Sequence, residues 1–78
     1  MSVKLTASIW QEGEKYVSLC PELGVSSFGI SPDVALRMLR EAVELYLENA
    51  KQLGIIDELS EILHSPLRFQ TTFEVDVA

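Results

Sequence analysis

The strongest constraint on the fold is a helical segment in the middle of the chain. Ser31 is a favourable N-cap, Pro32 suits the first helical position, and Asp33 complements the positive end of the helix dipole. Neither proline nor glycine interrupts residues 33–53, and Gly54 suits the left-handed residue that follows a helix. We therefore predict one long helix, roughly 33 Å in length at 1.5 Å per residue.

The apolar side chains of this helix recur at helical spacing and define a face that must be buried. They are Ala35, Leu39, Ala42, Val43, Tyr46, Leu47, Ala50 and Leu53. Charged residues lie mostly on the opposite side and include three acids, Glu41, Glu44 and Glu48. Such an acidic group is ordinarily a solvated surface, and it gains importance if the protein has a basic partner.

Three short segments before the helix alternate apolar and polar residues, as half-buried β-strands do. Residues 3–10 alternate most regularly, residues 16–20 resume the pattern after a polar turn, and residues 25–30 form a weaker third run. Pro21 and Gly24 separate the second run from the third, because proline lacks a backbone donor and glycine permits a sharp turn. These segments predict an antiparallel meander.

Two further elements are predicted after the long helix. Residues 55–63 indicate a short second helix, with Asp57 as its cap and Ser65–Pro66 as its end. Residues 67–77 then alternate without a break between apolar and polar side chains. This period of two predicts a long fourth strand.

The predicted order is β-β-β-α-(α)-β in a single α+β domain that covers residues 1–78. A right-handed crossover places the fourth strand parallel to the first and beside it, which gives the sheet order 3-2-1-4 with the long helix on one face. The other face has no second layer, and we expect the short helix or a second subunit to cover it. Apolar side chains expected there are Trp10, Tyr16, Cys20 and Phe28.

The charge balance excludes several classes of function. Twelve acidic and six basic side chains give a net charge of −6, whereas clustered lysine and arginine are needed to bind nucleic acid or anionic lipid. We therefore expect no direct binding of nucleic acid or membrane. A basic protein partner is electrostatically favoured.

The single cysteine and single histidine limit the chemistry further. Cys20 has no partner for an internal disulfide, and with one histidine it falls short of an ordinary zinc site, so we expect no metal and no cofactor. No apolar run approaches the roughly 20 residues of a membrane-spanning helix, and the first residues lack the pattern of a signal peptide. A cytoplasmic location is therefore predicted.

A succession of short motifs resembles one protein family. Residues 16–25 read YVSLCPELGV, Phe28–Gly29 follows, and the helix contains EAVELYLE at residues 41–48. This order, across residues 5–50, resembles the HicB-like antitoxins of type II toxin–antitoxin systems. The resemblance implies a partial ribonuclease H-like fold, β-β-β-α-β. It also implies a non-enzymatic antitoxin that binds and neutralises a small basic mRNA-cleaving ribonuclease of the HicA kind.

Two departures limit what the resemblance implies. Family members often have Gly-Asp-Thr before the helix, where Gly29–Asp33 here reads GISPD. Many also carry a C-terminal helix-turn-helix or ribbon-helix-helix module that binds operator DNA, whereas residues 67–77 are interpreted as a strand. Operator binding is therefore not inferred. The alternative to an antitoxin is an orphan self-associating structural or regulatory module without a toxin partner.

The residues do not favour an enzyme. A ribonuclease H site needs several carboxylates that converge on two metal ions, yet residues 3–10 contain no acid, and Glu74 and Asp76 stand alone on the last predicted strand. Cys20 and His64 lack a spacing typical of a nucleophile and its base. We interpret Cys20 as a small buried apolar side chain and His64 as a cation at a helix C-terminus. No catalytic residue is predicted.

Six residues are candidates for contacts with a partner. Trp10 and Phe28 are aromatic, the type that dominates interface energetics, although Trp10 is equally interpreted as a core residue of the hairpin. Glu22, in the Pro-Glu-Leu-Gly turn, is either a contact or a solvated turn residue. The remaining three are Glu41, Glu44 and Glu48. We also expect a homodimer or higher homo-oligomer, paired through a free edge strand, for which the fourth strand is the better candidate.

Overall fold

The structure is a computed structural model that describes residues 2–77. An antiparallel sheet contains β1 (Ser8–Glu12), β2 (Lys15–Cys20) and β3 (Val25–Gly29), in the order β1-β2-β3. The long helix α1 (Pro32–Gln52) follows, then a 3₁₀ turn (Ile56–Leu59) and the short helix α2 (Ser60–Leu63). The predicted α+β class, with a meander followed by a long helix, is confirmed.

The β1–β2 hairpin forms as predicted, but its first strand is shifted along the chain. Glu12 pairs with Lys15, so a two-residue turn that contains Gly13 joins the strands. The φ angle of Gly13 is 62°, in the left-handed region that such a tight turn requires. The strand predicted at residues 3–10 is observed at Ser8–Glu12. Ser8 pairs with Leu19, and β2 ends one residue later at Cys20, so residues 3–6 extend beyond the strand with which they could pair.

Both ends of α1 carry the signals that the sequence predicts. At the start, Oγ of Ser31 accepts a hydrogen bond of 3.2 Å from the backbone N–H of Val34. At the end, Gly54 adopts a φ of 73°, and the N–H of Ile55 donates to the carbonyl of Ala50 at 2.9 Å. This pattern is a Schellman motif, which satisfies carbonyls that the last turn leaves free.

Two small residues let α1 approach the sheet closely. A Cβ atom on Gly29 would lie 2.7 Å from the backbone nitrogen of Ala35, so any larger residue would push α1 away. Ser18 is fully buried, and its Oγ donates a 2.8 Å hydrogen bond to the carbonyl of Ala35. That bond satisfies a hydroxyl that burial would otherwise leave without a partner. The buried apolar side chains of the described residues are Cys20, Ala35, Leu39, Ala50 and Leu63.

The short second helix predicted for residues 55–63 is observed as the 3₁₀ turn and α2. Asp57 lies inside the 3₁₀ turn rather than before it, and no side chain caps its start. The predicted cap is therefore wrong. Leu63 anchors this region because its side chain is buried.

The fourth strand predicted for residues 67–77 is not formed in the described residues. This segment has no regular secondary structure and pairs with no strand of the sheet, so the sheet holds β1, β2 and β3 alone. Its apolar side chains stay in solvent, and Phe69 is 91% exposed. The alternation specifies which side chains share a face, whereas a strand also needs an edge to which it can bond.

Candidate functional site

The sheet turns one face to α1 and leaves the other uncovered. Ser18 bonds to the helix, so its neighbour Val17 points to the opposite face, because side chains alternate along a strand. The strand register pairs Val17 with Trp10 on one side and with Phe28 on the other. These three side chains therefore form a row across the uncovered face, which we call the open-face row.

The open-face row is apolar and accessible. Trp10 is 41% exposed and Phe28 is 62% exposed, whereas Val17 is half-buried between them. Nζ of Lys15 lies 5.3 Å from the centre of the Phe28 ring, within cation–π range, and Glu12 pairs with Lys15 across the hairpin. An apolar centre with charged groups at its rim is the typical composition of a protein-binding surface.

Tyr16 and Cys20 do not belong to this face, contrary to the prediction. They alternate in phase with Ser18 and therefore lie on the side of α1, where Cys20 is 1% exposed. Burial raises the pKa of the Cys20 thiol, which keeps it protonated at neutral pH. Its chemistry is that of a small buried apolar side chain.

Glu22 is held by its own chain at the turn after β2. Its carboxylate accepts bonds from the backbone N–H of Thr6 at 3.0 and 3.1 Å and from Oγ1 of Thr6 at 2.6 Å. Nε of Arg68 lies 2.9 Å from Oε2 and forms an ion pair with the carboxylate. The N–H bond of this nitrogen does not point at Oε2, so the contact is not a hydrogen bond. We call Thr6, Glu22 and Arg68 the carboxylate clamp.

Two opposing effects set the ionisation of Glu22. Burial disfavours the charged carboxylate, but the hydrogen bonds that it accepts, first among them the bond from Oγ1 of Thr6, outweigh that effect and lower its pKa. The carboxylate therefore stays charged at neutral pH. As a member of the clamp, it has little free surface to offer a partner.

The clamp fixes the start of residues 67–77, which we call the C-terminal segment, beside residues 4–8. The guanidinium of Arg68 also donates to backbone carbonyls, among them those of Lys4 and of Ile62, the latter at 3.0 Å. Further on, Nε2 of Gln70 donates to Oγ of Ser8. Side chains thus hold residues 68–70 next to residues 4–8, although no backbone pairing joins the two segments.

The acids of α1 lie on the far side of the molecule. Glu41, Glu44 and Glu48 are all exposed. Glu48 follows the buried Leu39 by about two and a half helical turns, so it lies on the opposite side of the helix. Glu41 neighbours it there, and Glu44 lies between that side and the flank of α1 that faces residues 3–7. This acidic surface therefore faces away from the sheet and from the open-face row.

A groove of 440 Å³ separates α1 from the N-terminal segment. We call it the side groove, and its apolar lining comes from Val3, Leu5, Leu36, Leu39, Val43 and Leu47. It runs beside the part of the chain that precedes β1, where the predicted fourth strand would lie. Because the apolar lining of the side groove is not covered by other side chains, the groove is an incomplete part of the core.

The six predicted contact residues thus fall in three separate places. Trp10 and Phe28 share the open-face row, Glu22 belongs to the carboxylate clamp, and the three helix acids lie on the outer side of α1. Sequence reasoning missed Thr6 and Arg68, because polar residues within an alternating run have the pattern of a solvated strand face. Nothing in the local sequence indicates that they meet Glu22.

Neither the ionisable side chains of the described residues nor the comparisons with known proteins indicate a further site. Within residues 2–77, no three histidine, cysteine, aspartate or glutamate side chains come together as metal ligands would. No helix in the same range has both the length and the apolarity to cross a membrane. No protein-family model, curated protein or solved structure matches the chain.

Proposed function

We propose that this protein is a HicB-like antitoxin domain, a non-enzymatic binding module that neutralises a small basic ribonuclease of the HicA kind. The order of the motifs supports the family, and the open-face row supports the binding role. Trp10 and Phe28 remain accessible on a sheet face that no element of residues 2–77 covers. Exposed aromatic side chains at the centre of an apolar patch are the usual anchors of protein interfaces.

Two surfaces have different roles in the proposed interaction. The open-face row supplies the apolar contact, and Glu41, Glu44 and Glu48 attract the basic toxin from the other side of α1. The net charge of −6 adds to this attraction. Long-range attraction of this kind raises the rate of encounter more than it tightens the final complex.

We further propose that the complete fold is the partial ribonuclease H-like arrangement β-β-β-α-β with the sheet order 3-2-1-4. The hydrogen bonds from Arg68 to Lys4 and from Gln70 to Ser8 support this order, because they hold residues 68–70 beside the residues that lead into β1 and beside its first residue. Both contacts advance in the same chain direction, as a parallel neighbour of β1 requires. A cytoplasmic setting belongs to the same proposal, since the target is mRNA cleavage.

The test is inhibition of the ribonuclease encoded beside this gene, if that neighbour is small, basic and rich enough in histidine for RNA cleavage. RNA cleavage is measured while the tagged protein is added, and the complex is examined by gel filtration. The proposal expects inhibition at a fixed stoichiometric ratio and co-elution of the two proteins. Cleavage that continues in the presence of excess protein, or the absence of such a neighbour, contradicts it.

Variants locate the contact. Phe28→Ala and Trp10→Ala are expected to weaken inhibition by about tenfold or more, because truncated anchor residues lose over 1.4 kcal/mol. Leu53→Ala is the matched control, since Leu53 is an exposed apolar residue at the far end of α1. Replacement of Glu41, Glu44 and Glu48 by glutamine should slow association at low salt and leave dissociation unchanged. Equal inhibition by the aromatic variants and the control would rule out the open-face row.

The alternative is an orphan module that only associates with itself. The exposed apolar side chains of residues 67–77 favour it, because they provide a contact that needs no toxin. It predicts a stable homo-oligomer and no effect on any neighbouring ribonuclease. The inhibition assay therefore distinguishes the two functions.

A further inference from the structure

We propose that residues 67–77 pair antiparallel with the same residues of a second copy, with the two-fold axis at Thr72. The two copies would then share one sheet across this ribbon. The inference concerns self-association and does not depend on toxin binding. It identifies residues 67–77 as the dimer interface.

The first observation is that the segment is built like a strand and has no partner. It is eleven residues long by numbering, its odd-numbered positions are apolar except for Thr71, and its apolar side chains are exposed. The Cα radius of gyration is 14.4 Å, against about 11.5 Å for a compact chain of this length. The fold is therefore less compact than its length allows, and the exposed apolar side chains of this segment are part of the surface that it leaves unburied.

The second observation is the distribution of charge along the segment. Arg68 lies near its start, and Glu74 and Asp76 lie near its end. An antiparallel pair centred on Thr72 keeps the acids of the two copies apart, because Glu74 faces Gln70 of the second copy and Asp76 faces Arg68, whose guanidinium stays in its ion pair with Glu22. A parallel pair in register would instead place each acid opposite its own copy, which is destabilising.

The same register also matches apolar side chains. With the axis at Thr72, Phe69 faces Val75 of the second copy, and Leu67 faces Val77 of the second copy. Aromatic and β-branched residues are favourable cross-strand pairs. This register uses the whole segment, because Thr72 is its middle residue.

The third observation is the side groove. Gln70 bonds to Ser8, which alternates away from the α1 side of the sheet, so the odd-numbered residues of an extended segment point to the groove side. The neighbouring Leu67 and Phe69 are exposed and do not fill the groove. A ribbon of two strands would bring four apolar side chains to this edge of the groove, two from each copy. The second copy thereby completes a core that one chain leaves open.

Sedimentation of the full chain at micromolar concentration tests association. The expected mass is twice that of one chain. The double variant Phe69→Asp/Phe73→Asp should sediment as a monomer and keep its far-ultraviolet circular dichroism, since both side chains are exposed in the single chain. Leu45→Asp is the control, because Leu45 is exposed on α1, and it should remain dimeric. A wild-type monomer, or a dimer unchanged by the double variant, would overturn the proposal.

Disulfide formation tests the direction and the axis. Thr72→Cys should cross-link to itself faster than Gln70→Cys or Glu74→Cys, because residues on a two-fold axis meet their own copy. A mixture of Gln70→Cys and Glu74→Cys should give mainly the mixed dimer. Native Cys20 does not compete, since it is 1% exposed. Equal self-cross-linking at the three positions would indicate parallel strands and contradict the proposed pairing, whatever the outcome of the ribonuclease assay.

Discussion

Residues 8–63 and residues 67–77 are stabilised in different ways. In the first region, strand pairing, a capped helix and small buried residues such as Ser18 and Gly29 bring backbone and side chains into close contact. In the second region, Arg68 and Gln70 anchor the chain through their side chains, while Phe69 and its apolar neighbours remain in water. Polar anchoring fixes where a segment begins, but it does not bury the segment's apolar side.

The two regions should therefore respond differently to the same perturbation. The free energy of unfolding is concentrated where apolar burial and satisfied polar groups coincide. The C-terminal segment adds little to the stability of a single chain. Its apolar side chains contribute only when a partner removes them from water.

The two regions should differ most clearly in the stability of two variants, Leu39→Ala and Phe69→Ala. Leu39 is 3% exposed on the buried face of α1, so its truncation should lower the free energy of unfolding by about 2–5 kcal/mol. Phe69 is larger but exposed, and its truncation should change that value by less than about 0.5 kcal/mol. Urea unfolding, followed by circular dichroism at concentrations where the chain is monomeric, measures both. Similar losses for the two variants would show that the segment is packed in the single chain.

An intermediate effect is expected at the carboxylate clamp. The folded-state pKa of Glu22 is lowered, so its contribution is fully present above its unfolded pKa and is lost as pH falls through the folded value. Glu22→Gln should therefore reduce stability at neutral pH by about 1–3 kcal/mol and flatten its decline in acid. Unfolding free energies measured from pH 7 downward give the slope.

The control for the clamp comes from the other region. Glu74→Gln removes an exposed carboxylate from the C-terminal segment and should keep the wild-type decline in acid. Hydrogen exchange adds a second measure, because loss of the clamp should speed exchange of the Thr6 amide, which donates to the Glu22 carboxylate. A Glu22→Gln protein with the wild-type slope would contradict the assigned role of the carboxylate.

The features predicted correctly from the sequence are local ones. Ser31 and Gly54 end the helix through bonds to residues a few positions away, and Gly13 makes its turn by its own φ. Local sequence could not show whether residues 67–77 form a fourth strand, because a strand must pair with the edge of a sheet that other residues form. The clamp was missed for the same reason, since Thr6, Glu22 and Arg68 are distant in sequence and each is ordinary in its own surroundings.

The sequence predicted the residues of the open-face row only where the alternation of side chains along a strand decides which face of the sheet they occupy. Trp10 and Phe28 are correctly placed on the uncovered face, because both pair with Val17. Tyr16 and Cys20 were misplaced, because the phase of β2 is set by the bond from Ser18 to Ala35, a contact between distant residues. The sequence pattern indicates which residues share a face, but tertiary contacts decide which face is covered.

The smallest difference in stability is expected between variants of two serines, one in the first region and one in the loop just before the second. Oγ of Ser31 accepts from the N–H of Val34 at the start of α1, whereas Oγ of Ser65 donates to the carbonyl of Leu67 in the loop that leads to the C-terminal segment. Ser31→Ala should lower the free energy of unfolding by about 1 kcal/mol, since the helix loses its N-cap. Ser65→Ala should stay within about 0.5 kcal/mol, because water replaces its exposed partner.

Thermal unfolding of both serine variants, each against the wild type, makes the comparison. The substitution is chemically identical, so any difference arises from the surroundings of each hydroxyl. If Ser65→Ala were as destabilising as Ser31→Ala, the loop before the C-terminal segment would have to unfold together with α1. The two regions would then be one cooperative unit, and self-association would have to stabilise a segment that the single chain already holds in place.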